Sequence, residues 1–98
     1  MWIGWLRADL LLGDVHSLKQ KRSVVRPVVA EVRRRLEVSV AEVDHLNAYR
    51  RTAIGVSLTA ADRARVDEVL DVAERLLASR PEVELVETQR RILRWDDV

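Results

Sequence analysis

The sequence predicts an α+β fold of the ferredoxin-like type, a βαββαβ sandwich with two antiparallel helices on one face of a four-stranded antiparallel sheet. Three observations predict it. Four segments carry apolar residues over the length of a strand, two others repeat them at helical spacing, and the order is strand, helix, strand, strand, helix, strand. With 98 residues, 48% of them hydrophobic, we expect a single domain spanning residues 1–98.

Residues 2–12 predict the first strand, because their charged members fall in only one of two alternating sets. The even positions from Trp2 to Leu12 carry no charge, whereas the odd positions include Arg7 and Asp9. Successive side chains of a strand point to opposite faces, so the even set is expected to pack on the core. Gly13-Asp14 marks the end of this strand.

Ser17 followed three residues later by Gln20 is typical of a capping box, so we expect the first helix to start there and run to about Leu36. The helix has one apolar stripe, widened on the side of the second helix. Its members are Leu18, Val25, Val29, Val32 and Leu36, with Val24 and Val28 as the widening. Pro27 falls opposite the stripe, on the solvent side, where the loss of its N–H bond is tolerable.

The remaining elements follow the same logic. Residues 38–43 predict a short strand, and residues 52–58 alternate as a third strand. Thr59 with Asp62 predicts the cap of a second helix that runs to about Ser79 and is stopped by Arg80-Pro81. Residues 83–95 predict a last strand whose mixed pattern indicates a bulge.

The charges are distributed unevenly along the chain. Residues 17–36 hold seven of the 17 basic side chains against one acidic residue, a net charge of +6, so the rest carries −5 within a total of +1. In the predicted fold, the start of the first helix, the connection after the second strand and the end of the second helix share one end of the sandwich. This end and the adjoining outer helix flank predict an anion site, most simply for RNA phosphates. Its candidate residues are Lys19, Lys21, Arg22, Arg26, Arg33, Arg50, Arg51 and Arg80.

An alternative is that these cations form a solvated surface, paired with Asp14, Glu42 or Asp44.

The sheet face turned away from the helices is a second candidate surface. Its predicted interaction residues are Ile3, Trp5, Arg7, Ala53 and Gly55, alongside the small side chains of Ser39, Ala41 and Ser57. Stacking of RNA bases would need further aromatic residues where Ala53 and Gly55 stand. A nearly flat face of small side chains instead suits another sheet, which predicts a homodimer.

The sequence indicates no catalytic residues, no metal site and no cofactor. Cysteine is absent, and the phosphate-binding glycine motifs and HExxH are absent as well. The alternative is an enzyme that uses His16 or His45 as an acid–base group, with Asp44 beside the second. The apolar start of the chain is interrupted by Arg7 and Asp9 and resembles neither a signal peptide nor a membrane span, so we expect a cytoplasmic protein.

Three motifs resemble the YlxP-like family of small bacterial proteins, also called domain of unknown function 503. They are Gly4-x-Leu6-Arg7, Ser17-Leu18-Lys19-x-Lys21-Arg22 and Val38-Ser39-Val40-Ala41-Glu42-Val43. The resemblance implies a ferredoxin-like fold and, because genes of the family often neighbour translation and ribosome-maturation genes, a role associated with RNA or the ribosome. It implies no reaction. The chain departs from the family at His45-Leu46-Asn47-Ala48-Tyr49, where an acidic-aromatic stretch is usual.

Overall fold

A computed structural model describes residues 1–97. The chain forms β1 (Trp2–Leu12), α1 (Leu18–Leu36), β2 (Ser39–Asp44), β3 (Arg51–Ala60), α2 (Arg63–Ser79) and β4 (Val83–Arg94), followed by a 3-10 turn at Trp95–Asp97. The strands make one sheet in the order β2-β3-β1-β4, and every neighbouring pair is antiparallel. This is the ferredoxin-like α+β arrangement that the sequence predicts.

The core lies between the sheet and the two helices. The even residues of β1 enter it, and Leu6, Ala8 and Leu10 are at most 2% exposed. The apolar stripes of the two helices pack against these residues, and Val28 and Val32 of α1 and Leu70 of α2 are also buried. Burial of these apolar surfaces is the main stabilising contribution to a fold of this size.

The first helix begins as predicted, with a small difference in the cap. Ser17 Oγ accepts a hydrogen bond from the backbone N–H of Gln20 at 3.1 Å. Gln20 Oε1 accepts in return from the backbone N–H of His16 at 2.6 Å, one residue earlier than in a standard capping box. At the other end, Glu37 adopts a left-handed conformation and its N–H binds Arg33 O. Pro27 is exposed within the helix, as predicted.

The cap predicted for the second helix is wrong. Thr59 is still part of β3, which extends to Ala60, and Asp62 is the N-cap residue without a side-chain hydrogen bond to the helix. The predicted bulge in the last strand is confirmed, because the β1–β4 register shifts between Asp9 and Leu10. A second shift between Glu42 and Asp44 places a bulge in β2.

Neither described helix combines the length and the apolar character that crossing a membrane would need.

Candidate nucleic-acid interface

Lys21, one of the predicted anion-binding residues, is buried, and this corrects its assignment. Its side chain is 3% exposed, and Nζ lies 2.9 Å from Glu42 Oε2. Nζ also donates to the backbone carbonyl of His45 at 2.6 Å, while Thr52 Oγ1 donates to the same Glu42 oxygen at 2.6 Å. A buried charge needs such partners because the interior does not solvate it. Lys21 therefore joins α1 to β2, β3 and their connection, and it offers no free charge to a ligand.

Arg80 and Arg33 are also engaged within the protein. The Arg80 guanidinium pairs with Glu31 of α1 at 2.9 Å and lies 2.6 Å from Glu82. Its charge is therefore neutralised, contrary to the predicted anion site. Arg33 donates to the backbone carbonyl of Val40 at 2.8 Å, which attaches the outer side of α1 to β2. It remains exposed, so part of its guanidinium faces solvent.

Arg51 and Arg50 diverge at the start of β3. Arg51 pairs in register with Leu11 and lines a cavity of about 460 Å³ with Arg7, Asp9 and His45, on the sheet face away from the helices. The structure thus separates Arg51 from the α1 cations. Arg50 donates from Nε to the backbone carbonyl of Val15 at 3.4 Å and stays exposed at the helix start.

The remaining predicted residues, Lys19, Arg22 and Arg26, form one exposed surface, which we call the basic flank. Together with Ser23 and Pro27 they line a shallow depression of about 510 Å³ on α1. Within residues 1–97, none of the three makes an ion pair or a side-chain hydrogen bond. The structure thus leaves three neighbouring positive charges available to solvent.

The carboxylates that could have neutralised the basic flank bind other groups. Asp14 contacts His16 Nε2 at 2.5 Å. Glu42 forms an ion pair with Lys21, and Asp44 forms one with Arg7 at 3.0 Å. The alternative in which Asp14, Glu42 or Asp44 pairs with these helix cations therefore holds only for the buried Lys21.

The acidic flank of α2 is partly neutralised by one cation of the neighbouring strand. Arg90 of β4 lies 2.8 Å from both Asp67 Oδ1 and Asp71 Oδ1. Burial alone would lower the pKa of Arg90, but the hydrogen bonds from its guanidinium to Asp71 and Asp67 prevail and raise it. Asp67 and Asp71 consequently pair on their own side of the molecule, away from the basic flank.

A groove adjoins the basic flank where α1 faces the β2–β3 connection. It has a volume of about 340 Å³. Its lining combines apolar side chains with the Lys21–Glu42 pair and two cations of the flank. These residues are Leu18, Lys21, Arg22, Val25, Arg26, Glu42, Leu46 and Asn47. The groove and the flank share Arg22 and Arg26, so one ligand can contact both.

The open sheet face carries a polar cluster that the sequence did not reveal. Arg7 contacts Asp9 at 3.3 Å and Asp44 at 3.0 Å. The hydrogen bond to Asp9 and, to a smaller extent, the one to Asp44 raise the pKa of Arg7. The pKa of Asp44 is lowered by a hydrogen bond from the backbone N–H of His45 and, next, by the one from Arg7.

One predicted residue of this face is not available for contact, and a second is only partly available. Ala53 is fully buried, because its partners in register are Asp9 and Asp44, whose carboxylates converge on Arg7 above the strand. Gly55 is half-buried, and a Cβ built there would lie 2.8 Å from Val43 Cγ1. Ile3 and Arg7 are half-buried, and Trp5 is 38% exposed. The accessible apolar part of the face is therefore smaller than the sequence predicts.

His45 connects the open face to α1. Its backbone has a φ of 59°, an uncommon left-handed conformation for a residue other than glycine. The carbonyl accepts from Lys21, the N–H donates to Asp44 Oδ1 at 2.7 Å, and the ring Nε2 lies 3.7 Å from Asp9 Oδ1. His16, in contrast, is exposed and contacts only Asp14 among charged groups of the described chain. Within residues 1–97, no group of three or more His, Cys, Asp or Glu residues could hold a metal ion.

The fold and these motifs define a small ferredoxin-like protein with a basic helix flank, and comparison with known proteins gives its family. The profile of the family described as "Protein of unknown function (DUF503)" matches residues 3–90, so the chain belongs to that family. A similar relative is "Uncharacterized protein YlxP" of Bacillus subtilis (strain 168). It is 27% identical over 82 residues, which cover 84% of this chain and 89% of the relative.

Proposed function

We propose that this protein is a non-enzymatic RNA- or ribosome-associated binding module, which contacts phosphates through the basic flank. The observation that carries the proposal is that Lys19, Arg22 and Arg26 lie side by side on α1 without a carboxylate partner in the described chain. Two of the three are arginines, which bind phosphate oxygens with two parallel hydrogen bonds. The proposal includes a cytoplasmic location, where RNA is made and translated.

Arg50 extends this surface at the start of α1. It is exposed, and it lines a depression of about 520 Å³ with His16, Asn47 and Tyr49. A nucleic-acid backbone that leaves the basic flank toward the β2–β3 connection would therefore meet a further cation. Several phosphate contacts of this kind release bound counterions, so the affinity should fall steeply as salt rises.

Co-sedimentation with ribosomal subunits and with free RNA, over a series of salt concentrations, tests the proposal. The wild type should sediment with RNA at low salt and be released as salt rises. Arg22→Glu/Arg26→Glu should remain in the supernatant, because the change replaces attraction to phosphates by repulsion. The matched control is Arg63→Glu/Arg75→Glu, which makes the same charge change at exposed positions of α2. Absence of binding at low salt, or equal loss in both variants, would contradict the proposal.

A second candidate function is homodimerisation through the open sheet face. Trp5 and Val43 are exposed there, at 38% and 51%, and apolar side chains of this size favour contact with another surface. The same face carries both signs of charge at Arg7 and Asp9, which a second copy could match around a two-fold axis. Sedimentation of the wild type against Trp5→Glu separates the cases. A wild type that is already monomeric at high concentration refutes this candidate.

A further inference from the structure

The groove between α1 and the β2–β3 connection could hold a small ligand group, and its apolar side chains and Glu42 take no part in the proposed phosphate contacts. Its volume of about 340 Å³ is at the lower end of the range for small-ligand sites. Leu18 and Val25 contribute apolar walls from α1. Leu46, on the connection, is 59% exposed although it borders the groove. A flat apolar ligand group would cover these side chains.

Glu42 supplies a hydrogen-bond acceptor to this groove. Its Oε2 already receives Lys21 Nζ and Thr52 Oγ1. Its Oε1 has no hydrogen-bond partner among the described residues, and the side chain keeps 23% of its exposure. A carboxylate is an acceptor only, so a ligand group placed against Oε1 gains by offering an N–H.

The charges around the groove favour a ligand that also carries an anionic group. Lys21 and Glu42 cancel each other, which leaves the positive charges of Arg22 and Arg26 at the rim. A lysine or arginine side chain of a protein partner would be repelled by these two residues. A group that combines a flat apolar face, an N–H donor and an attached anion satisfies all three features, and an unstacked nucleotide is such a group.

We propose that the groove binds one unstacked base of a single-stranded RNA, and that Glu42 selects bases with an exocyclic amino group over uracil. This inference rests on the proposed RNA-binding function and names the chemistry that gives it base preference. The base packs against Leu46, its amino group donates to Glu42 Oε1, and its phosphates lie on Arg22 and Arg26. With the C4 substituent against Glu42, uracil presents a carbonyl where cytosine presents an amine, so two acceptors would face each other.

The test compares oligocytidylate with oligouridylate of equal length, both labelled with fluorescein, by fluorescence anisotropy at neutral pH. The two pyrimidines differ at the C4 substituent that the proposal places against Glu42, and they bring the same number of phosphates. The wild type should bind oligocytidylate roughly tenfold more tightly, the factor that a hydrogen bond to a charged group supplies. Glu42→Gln should reduce this preference at least severalfold, because an amide can also donate to the uracil carbonyl.

Since Glu42→Gln leaves Lys21 without its charged partner, Lys21→Met/Glu42→Gln is the second variant, in which no buried charge is stranded. Leu46→Ser changes only an exposed side chain and should weaken oligocytidylate binding severalfold without affecting folding. Circular dichroism confirms that each variant is folded.

Equal affinity of the wild type for the two oligonucleotides would overturn the base preference. The RNA-binding function would still stand if Arg22→Glu/Arg26→Glu abolished binding to both. A preference for cytidine that persists in the folded Glu42 variants would also overturn it, because the base would then be read elsewhere. If neither oligonucleotide binds at low salt, the proposed function fails together with the inference.

Discussion

At the scale of single residues, Lys21 fixes the surface that surrounds it. Its ammonium pairs with Glu42 of β2 and donates to the carbonyl of His45, so it links the first turn of α1 to the β2–β3 connection. Lys19 and Arg22, its neighbours in sequence, project to solvent beside it. One buried lysine in a basic segment thus orders the exposed ones.

We expect Lys21→Met to lower the free energy of unfolding by about 2–4 kcal/mol, since it removes one partner of a largely buried ion pair. The measurement is urea denaturation. Lys19→Met, two residues away and exposed, is the matched control and should change the free energy by less than about 0.5 kcal/mol. In Lys21→Met/Glu42→Gln much of the loss should be recovered. Equal, small effects at both lysines would show that the Lys21–Glu42 contact does not stabilise the fold.

The burial of Lys21 could have been anticipated from its spacing. It lies three residues after Leu18 and four before Val25, so it falls within the apolar stripe of α1 rather than on the flank. The charged residues on either side of Lys21 conceal this position in the sequence. Glu42 was one of three carboxylates that the sequence offered as partners of these cations, and only the packing of β2 beside α1 shows that it pairs with Lys21.

Asp44 should contribute to the pH dependence of stability. Its pKa is lowered in the folded protein by the N–H of His45 and by Arg7, so its charged form stabilises the fold above the unfolded pKa of about 3.9. That contribution is lost as the pH falls through the lower, folded pKa. Asp44→Asn should therefore lose less stability than the wild type between pH 5 and acid pH, as measured by urea denaturation. Identical slopes for the two proteins would contradict this role.

At the scale of elements, Gly4 sets the distance between β1 and α2. It is buried, and a Cβ added there would overlap Val66 Cγ1 and lie 3.2 Å from Leu70 Cδ1. The helix can approach the strand closely at this position only because the side chain is absent.

Gly4→Ala should therefore cost about 1–3 kcal/mol of stability, the usual effect of overpacking a core. Gly13→Ala is the control, since no atom outside its chain neighbours lies within 4 Å of the added Cβ. Thermal denaturation of the two variants checks the difference. Val66→Ala should relieve the overlap, so the combined variant Gly4→Ala/Val66→Ala should lose less than the two single changes together. A Gly4→Ala variant as stable as the wild type would refute the close approach.

The sequence predicted most element boundaries to within two residues, and the reasons are local. Ser17 and Gln20 mark the start of α1 because their hydrogen bonds lie within one turn. The predicted start of α2 is wrong, because a Thr followed three residues later by an Asp can also occur at the end of a strand. Pairing with Ile3 of β1 keeps Thr59 extended. The bulge in β2 could not be predicted, because it depends on the register with β3.

At the scale of the whole molecule, the fold separates two charge distributions that nearly cancel in the total of +1. Asp67 and Asp71 of α2 share Arg90, and Arg80 pairs with Glu31 and lies close to Glu82, so carboxylates take up the charges of these two arginines. The basic flank keeps its charge. The sequence predicted the excess of cations on the outer side of α1, but only the packing shows that Lys21 and Arg80 are engaged in pairs and that Arg51 faces the other side of the sheet.

The most direct test of this account is the salt dependence of RNA affinity, measured by fluorescence anisotropy with one labelled single-stranded RNA. For the wild type, the logarithm of the association constant should fall linearly with the logarithm of the salt concentration. In Arg22→Glu/Arg26→Glu the affinity at low salt should collapse, and the slope should shrink by about 1.4, which is about 0.7 for each lost phosphate contact. Arg63→Glu/Arg75→Glu should retain the wild-type slope. A wild-type affinity that does not depend on salt, or slopes that are equal in all three proteins, would contradict the basic flank as an RNA-binding surface.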